Sequence, residues 1–198
     1  MRNTKDLIKR QALILFGRNG YEGTSVNEIS KLVGITKGTF YCHYESKEAL
    51  FLTILIEQFS EFLDDMLKFV YALNDISTMD KLFLIFKRST KYYMENQDAA
   101  RFLMRFTYFP SEDIKEVIKN STELCDLQKI MKDKLLELFQ EGLYRGEIEN
   151  KRNVNCLVGS YFWMCTTTGI NILNYNSCTS LEELEATWDI YINGIKNK

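Results

Sequence analysis

The sequence predicts an all-α chain: an N-terminal three-helix head that contains a helix-turn-helix, followed by a larger helical body. Three observations predict it. Long segments repeat apolar residues at helical spacing. The 198 residues hold one proline, Pro110, so little interrupts those segments. Residues 25–44 read as a short helix, a glycine turn and a second short helix. The boundary is placed at residue 47, with the head over 1–47 and the body over 48–198.

The first helix spans Thr4 to Asn19, with Leu7, Ile8, Ala12, Leu15 and Phe16 as its buried stripe and Lys5, Lys9 and Arg10 toward its other side. Gly20 ends it, and Tyr21 folds back on that stripe. Glu22-Gly23-Thr24 turns into the second helix. Ser25 and Glu28 have the spacing of a capping box, and Ile29, Leu32 and Val33 form one apolar face. Gly34 stops this helix, because glycine takes the left-handed conformation at little cost. Thr36 caps a third helix whose Phe40 meets the second. Lys37, Gly38, Thr39, Tyr41 and His43 are left outside the shared core. A hairpin serving only the core has no need of such a basic, aromatic, hydroxyl-rich face, and the usual work of this motif is major-groove recognition.

Ser46 caps a long fourth helix that continues to about Leu73, with Leu50, Phe51, Ile54, Leu55, Phe62, Leu63, Met66, Phe69 and Val70 at helical spacing. It joins head to body and is the natural lever between them. Asn74-Asp75-Ile76-Ser77 is a break, and Ser77 with Asp80 opens a helix to about Glu95. A short helix over Ala99 to Phe106, a turn at Tyr108-Phe109-Pro110-Ser111 and a helical segment to Asn120 follow. Leu124, Leu127, Met131, Leu135, Leu138, Phe139 and Leu143 mark an amphipathic helix stopped by Gly146. Val154 to Asn174 is apolar nearly all round and so is buried on two sides. Ser180 and Glu183 cap a final helix.

Composition narrows the function classes. Hydrophobic content of 45% and charged content of 26% are those of a soluble globular chain. No apolar run reaches the roughly 18 residues of a membrane span, and Met1-Arg2-Asn3 leads into an amphipathic helix rather than a signal peptide, so cytoplasmic residence with no membrane partner is expected. Five cysteines (Cys42, Cys125, Cys156, Cys165 and Cys178) form no C-x-x-C pair, and there is one histidine. Neither a disulfide framework nor a metal site is expected. With no glycine-rich phosphate loop and no nucleophile motif, neither is an enzyme, nor any cofactor. The net charge of −2 hides an asymmetry: up to Lys47 there are eight basic against four acidic residues, and beyond it seventeen against twenty-three. A basic head on an acidic body suits a protein whose N-terminal part alone meets phosphates.

The stretch Phe16-x-x-x-Gly20-Tyr21-x-x-Thr24-Ser25-Val26-x-x-Ile29, then Gly34-Ile35-Thr36-Lys37-Gly38-Thr39-Phe40-Tyr41-x-His43-Tyr44-x-Ser46-Lys47-Glu48-x-Leu50, resembles the DNA-binding domain of the tetracycline-repressor (TetR/AcrR) family. It covers about the first quarter of the chain. Ser30 stands where alanine is common in that family, Cys42 where a larger polar or aromatic residue is frequent, and Tyr44 where phenylalanine is usual. Cys42 bears on sequence preference rather than on DNA binding.

The resemblance implies a homodimer on an inverted-repeat, double-stranded operator, probed by Thr24, Ser25, Thr36, Lys37, Gly38, Thr39, Tyr41, Cys42, His43 and Lys47. Thr24 and Ser25 would meet a phosphate at a helix N-terminus. Lys37 would reach a guanine edge or a phosphate, and Thr39 a thymine methyl. Tyr41, His43 and Lys47 would bond phosphate oxygens, although a histidine or tyrosine here also has a packing reading. The resemblance further implies a body that binds a small, largely apolar or aromatic effector. Phe62, Tyr93, Phe102, Phe106, Tyr161 and Trp163 are candidate contacts, although the first reading of each such aromatic is a core residue. It also implies that the last two helices pair with their copies through residues such as Leu157, Ser160, Met164, Trp188, Tyr191 and Ile195. The expected function is that of a ligand-released repressor. The alternative is the same fold with a body that binds a protein partner.

Overall fold

The computed structural model describes residues 3–149, 153–175 and 180–195, and Cys178 lies outside them. Ten helices follow in order among the described residues: α1 (Thr4–Asn19), α2 (Val26–Val33), α3 (Lys37–His43), α4 (Lys47–Tyr71), α5 (Thr78–Glu95), α6 (Gln97–Tyr108), α7 (Glu112–Asn120), α8 (Thr122–Tyr144), α9 (Val154–Tyr175) and α10 (Leu181–Ile195). Ser25, Thr36 and Ser46 cap as expected, Asn3 adds a cap at α1, and Ser111 before α7 makes no side-chain capping bond. The amide of Lys5 donates to the Asn3 side chain, that of Glu28 to Ser25 Oγ and that of Thr39 to Thr36 Oγ1. At α10 the capping is reciprocal: Glu183 N–H donates to Ser180 Oγ, and Ser180 N–H donates to the Glu183 carboxylate.

The chain divides into two compact units, Met1–Glu61 with Asn96–Cys125, and Phe62–Glu95 with Asp126–Lys198. The first therefore holds the 1–47 head together with the start of α4, α6 and α7. Its core is aromatic. Phe16 meets Phe51 edge to face at 5.5 Å, Phe51 meets Phe106 at 4.7 Å, and Phe102 lies 5.1 Å from Phe106. Tyr21 folds back as expected, stacked 5.7 Å from Phe16. Helix α1 packs on α6 through Gly17, where an added Cβ would already stand 3.4 Å from the Phe102 backbone. Lys9 does not stay on the solvent side of α1: it pairs with Glu57 of α4 at 2.9 Å.

In the second unit α5 lies on α9. The Tyr161 hydroxyl donates 2.7 Å to the Leu82 carbonyl, and its ring meets Phe139 edge to face. Phe83 stacks on Trp188 of α10 at 5.5 Å. Leu135, Leu138, Ile148, Leu157, Met164, Leu184 and Ile195 complete this core. Helix α9 does not bury every side in the single chain. Leu157, Val158, Tyr161, Met164 and Cys165 turn inward, while Cys156, Ser160, Trp163, Thr167 and Asn171 recur along an exposed stripe.

Candidate nucleic-acid interface

Three local decisions build the turn between α2 and α3. Gly34 takes φ 77° and ψ 33°, a conformation with a Cβ penalty for other residues. Its amide and that of Ile35 then satisfy carbonyls at the end of α2, with Ile35 N–H 3.0 Å from Ser30 O. Thr36 restarts the chain as N-cap of α3. Phe40 is fully buried against Tyr44 (6.0 Å), so its rotational position sets which α3 residues face outward. Lys37, Gly38, Tyr41 and Cys42 are exposed, Tyr41 by 53%, and Thr39 and His43 are half-buried. A Cβ at Gly38 would meet only the Thr36 hydroxyl, at 3.6 Å. No internal packing requires that glycine, whereas an outside surface could approach its backbone closely.

One residue of α2 departs from its expected place. Leu32 is exposed rather than part of the apolar face. Taking about 100° per residue, Ile29, Val33, Val26 and Ser30 share a sector of about 100°, and Leu32 falls about 60° beyond its edge. Ile29 and Ser30 are the buried residues of the helix, so the face that packs is turned away from Leu32.

Two candidate phosphate contacts are engaged within the chain. Thr24 is buried and its hydroxyl donates 2.8 Å to the Gly20 carbonyl. The Lys47 ammonium donates to the carbonyls of Tyr21 (2.9 Å) and Thr24 (3.1 Å), and sits 3.9 Å above the Tyr21 ring. Lys47 thus ties the α1–α2 loop to the start of α4. Ser25 is exposed, and since its oxygen accepts from Glu28 N–H its own O–H remains a donor toward solvent. A second tie had no sequence signal: Arg105 of α6 donates to the Arg18 (3.1 Å) and Gly17 (3.4 Å) carbonyls at the end of α1. Tyr44 closes the head from beneath. Burial, with Glu57 and Asp6 nearby, pushes its hydroxyl up to about 12, and that hydroxyl has no hydrogen-bond partner among the described residues.

The candidate effector contacts fall in both units. Phe102 and Phe106 belong to the aromatic core of the first unit. In the second unit Phe62 stacks on Tyr93 at 5.9 Å, Tyr161 is locked in the core, and Trp163 is 64% exposed. The Glu57 carboxylate is paired with Lys9, and that of Glu95 lies within ion-pair distance of Arg88 and Lys91. Of the candidate pairing residues, Leu157, Met164, Trp188 and Ile195 are buried in the subunit's own core, and Tyr191 bonds the Leu157 carbonyl at 3.1 Å. Only Ser160 of that set is exposed. Cys42, Cys125 and Cys156 are exposed, whereas Cys165 is buried and its thiol is pushed up to about 12 by that burial. No group of three or more metal-ligating side chains occurs among the described residues, and none of their helices is long and apolar enough to cross a membrane.

Residues 8–54 match the sequence profile of bacterial regulatory proteins of the tetR family. Over 149 residues, 73% of each chain, the sequence is 32% identical to the HTH-type transcriptional regulator QacR of Staphylococcus aureus. It is 39% identical over 64 residues to IcaR of Staphylococcus epidermidis, a negative regulator of the biofilm operon icaADBC. That match spans 32% of this chain and only 35% of the relative. Among solved structures, the transcriptional regulator FadR of Bacillus subtilis, in complex with stearoyl-CoA, aligns with a TM-score of 0.76 at 18% identity over 96% of this chain and 98% of that one. The ketosteroid regulator KstR2 of Mycobacterium tuberculosis aligns with a TM-score of 0.75 at 16% identity, over 100% and 97%. At those identities the likeness is one of fold.

Proposed function

Because this chain belongs to the tetR family of bacterial regulatory proteins, we propose that it is a cytoplasmic transcriptional repressor that binds an inverted-repeat operator as a homodimer and is released by a small effector. The observation that carries the DNA-binding part is the face of α3. Phe40 is buried, while Lys37, Gly38, Tyr41 and Cys42 stand outward from the end of the chain that carries net positive charge. Lys37 and Thr39 are the base-reading candidates. Ser25, Tyr41 and His43 set register on the phosphates. Lys47 and Thr24 act from inside, by holding the loop before α2.

The division of labour follows the residue ranges, with 1–47 reading DNA and 48–198 pairing and binding the effector. Pairing is supported by the outer stripe of α9 and by α10, where Trp163 and Ile190 (79% exposed) lie open to solvent. Gly159 and Gly194 have no atom within 4 Å of an added Cβ, which leaves room for another helix. A dimer places two α3 helices on successive half-sites, and an effector acts by favouring the state that fits those half-sites less well.

The test is selection of fragmented genomic DNA by the purified protein, followed by sequencing. The expected product is a palindromic site that Lys37→Ala combined with Tyr41→Ala no longer enriches, with the dimer intact. Enrichment of the same site by the double variant would sink the assignment of α3.

A further inference from the structure

The second unit carries a cleft of about 710 Å³ between the C-terminal half of α4, α5 and the start of α10. That size lies in the range of roughly 300–1,000 Å³ typical of ligand pockets. Its floor is apolar: Phe69, Leu84, Met94, Leu181 and Leu184. Leu184 belongs to the core of the unit and Phe69 packs against that core.

The rim has the opposite character. Lys68, Lys87, Arg88 and Lys91 surround the cleft, with Asp65 as the one acid in its lining. Asp65 is consumed by Arg88, whose Nε donates 2.8 Å to it and whose Nη2 bonds its other oxygen. Glu95, 3.9 Å from Arg88 and 3.7 Å from Lys91, offsets part of the remaining charge. Lys68 and Lys87 have no carboxylate within ion-pair distance among the described residues, and Lys87 rests 5.3 Å from the Phe83 ring. A cationic ligand would find no free carboxylate in this lining and at least two uncompensated ammonium groups. An apolar tail that ends in an anion satisfies both parts of the lining.

We propose that this cleft is the effector site and that its ligand is a free chain carboxylate, with the hydrocarbon on the Phe69–Leu84–Met94–Leu181–Leu184 floor and the carboxylate held by Lys68 and Lys87. The regulatory half of this proposal rests on the repressor reading. The binding half does not.

Calorimetric titration of the full chain with sodium dodecanoate, below its micellar concentration, tests the binding. Acetate and dodecyltrimethylammonium serve as controls for the head and the tail. Dodecanoate is expected to bind one per chain and acetate not at all. Lys68→Glu combined with Lys87→Glu is expected to weaken dodecanoate at least tenfold. Leu181→Asp, on the exposed edge of the floor, is expected to do the same, with the helical circular dichroism of each variant unchanged. Equal dodecanoate affinity in the charge-reversed variant, or tighter binding of the ammonium amphiphile by the native chain, would overturn the site. In a second arm dodecanoate is expected to lower operator affinity at least tenfold in the native chain and not in the charge-reversed one. Dodecanoate binding that leaves operator affinity unchanged would overturn the effector role. A ligand-free chain that binds no DNA would instead overturn the repressor reading, and the titration would still decide the cleft.

Discussion

Replacing Lys47 with methionine separates two roles that the sequence alone runs together. A lysine at the start of α4 reads as a phosphate contact, yet in the structure its ammonium holds the Tyr21 and Thr24 carbonyls and covers the Tyr21 ring. Methionine keeps the apolar stem and removes the charge. Hydrogen bonds from a charged donor contribute about 1.5–3 kcal/mol each and a cation–π contact about 0.5–1 kcal/mol. Lys47 is half-buried, so solvent screening takes the total below that sum's low end of about 3.5 kcal/mol, to about 2–3 kcal/mol. At roughly 2–4 °C per kcal/mol this lowers the melting temperature by about 5–10 °C. The companion assay is operator affinity as a function of salt. If Lys47 neutralised a phosphate in each subunit, the dimer would lose two such contacts, and the slope of log K against log salt would fall by about 1.8. A clamp predicts a near-unchanged slope, with weaker binding from a loosened α1–α2 loop. A slope reduced by that amount with an unchanged melting temperature would refute the clamp.

Phe40→Ala empties a fully buried site beneath the reading face and is expected to cost about 3–5 kcal/mol, measured by urea unfolding, and to abolish operator binding with it. Tyr44→Phe removes a buried hydroxyl that has no partner and is expected to stabilise the head by about 1 kcal/mol. Its advantage should grow with pH. The native hydroxyl titrates near 12 against 10 in the unfolded chain, so between those values the unfolded state releases the proton first and the native protein loses stability as pH rises. Alkaline unfolding curves that are parallel for the two proteins would count against that burial. Ile190→Asp places a charge on the open side of α10 and, if the proposed dimer pairs there, is expected to yield monomers in sedimentation velocity with helical content unchanged; association equal to that of the native chain would count against pairing through that side.

Helix order and much of the outward face of α3 were legible because they rest on local chemistry. The Ser25, Thr36, Ser77 and Ser180 caps are bonds between residues three apart, and Gly34 needs only its own φ. Sequence spacing carries such information directly. Of the five residues that Phe40 was expected to leave outside on this short helix, Lys37, Gly38 and Tyr41 are exposed, whereas Thr39 and His43 are half-buried. Leu32 was misplaced because a two-turn helix offers several possible apolar sectors, and the neighbouring helices decide which one is buried.

Residue spacing was enough for an all-α chain, a basic helix-turn-helix head and the outward placement of Lys37, Gly38 and Tyr41 on α3. Tertiary structure decided the rest, because each remaining question concerns partners far apart in the chain. It turned Lys47 back on residues 21 and 24, and it brought Arg105 to the end of α1. It sent the aromatics of the body to separate places, Phe102 and Phe106 into one core, Tyr161 into another and Trp163 to the surface. Lys68, Lys87 and Leu181 carry no shared signal in a linear reading. They line one cleft only because α4, α5 and α10 pack together, and packing is fixed by which side chains fill space against one another rather than by their spacing along the chain.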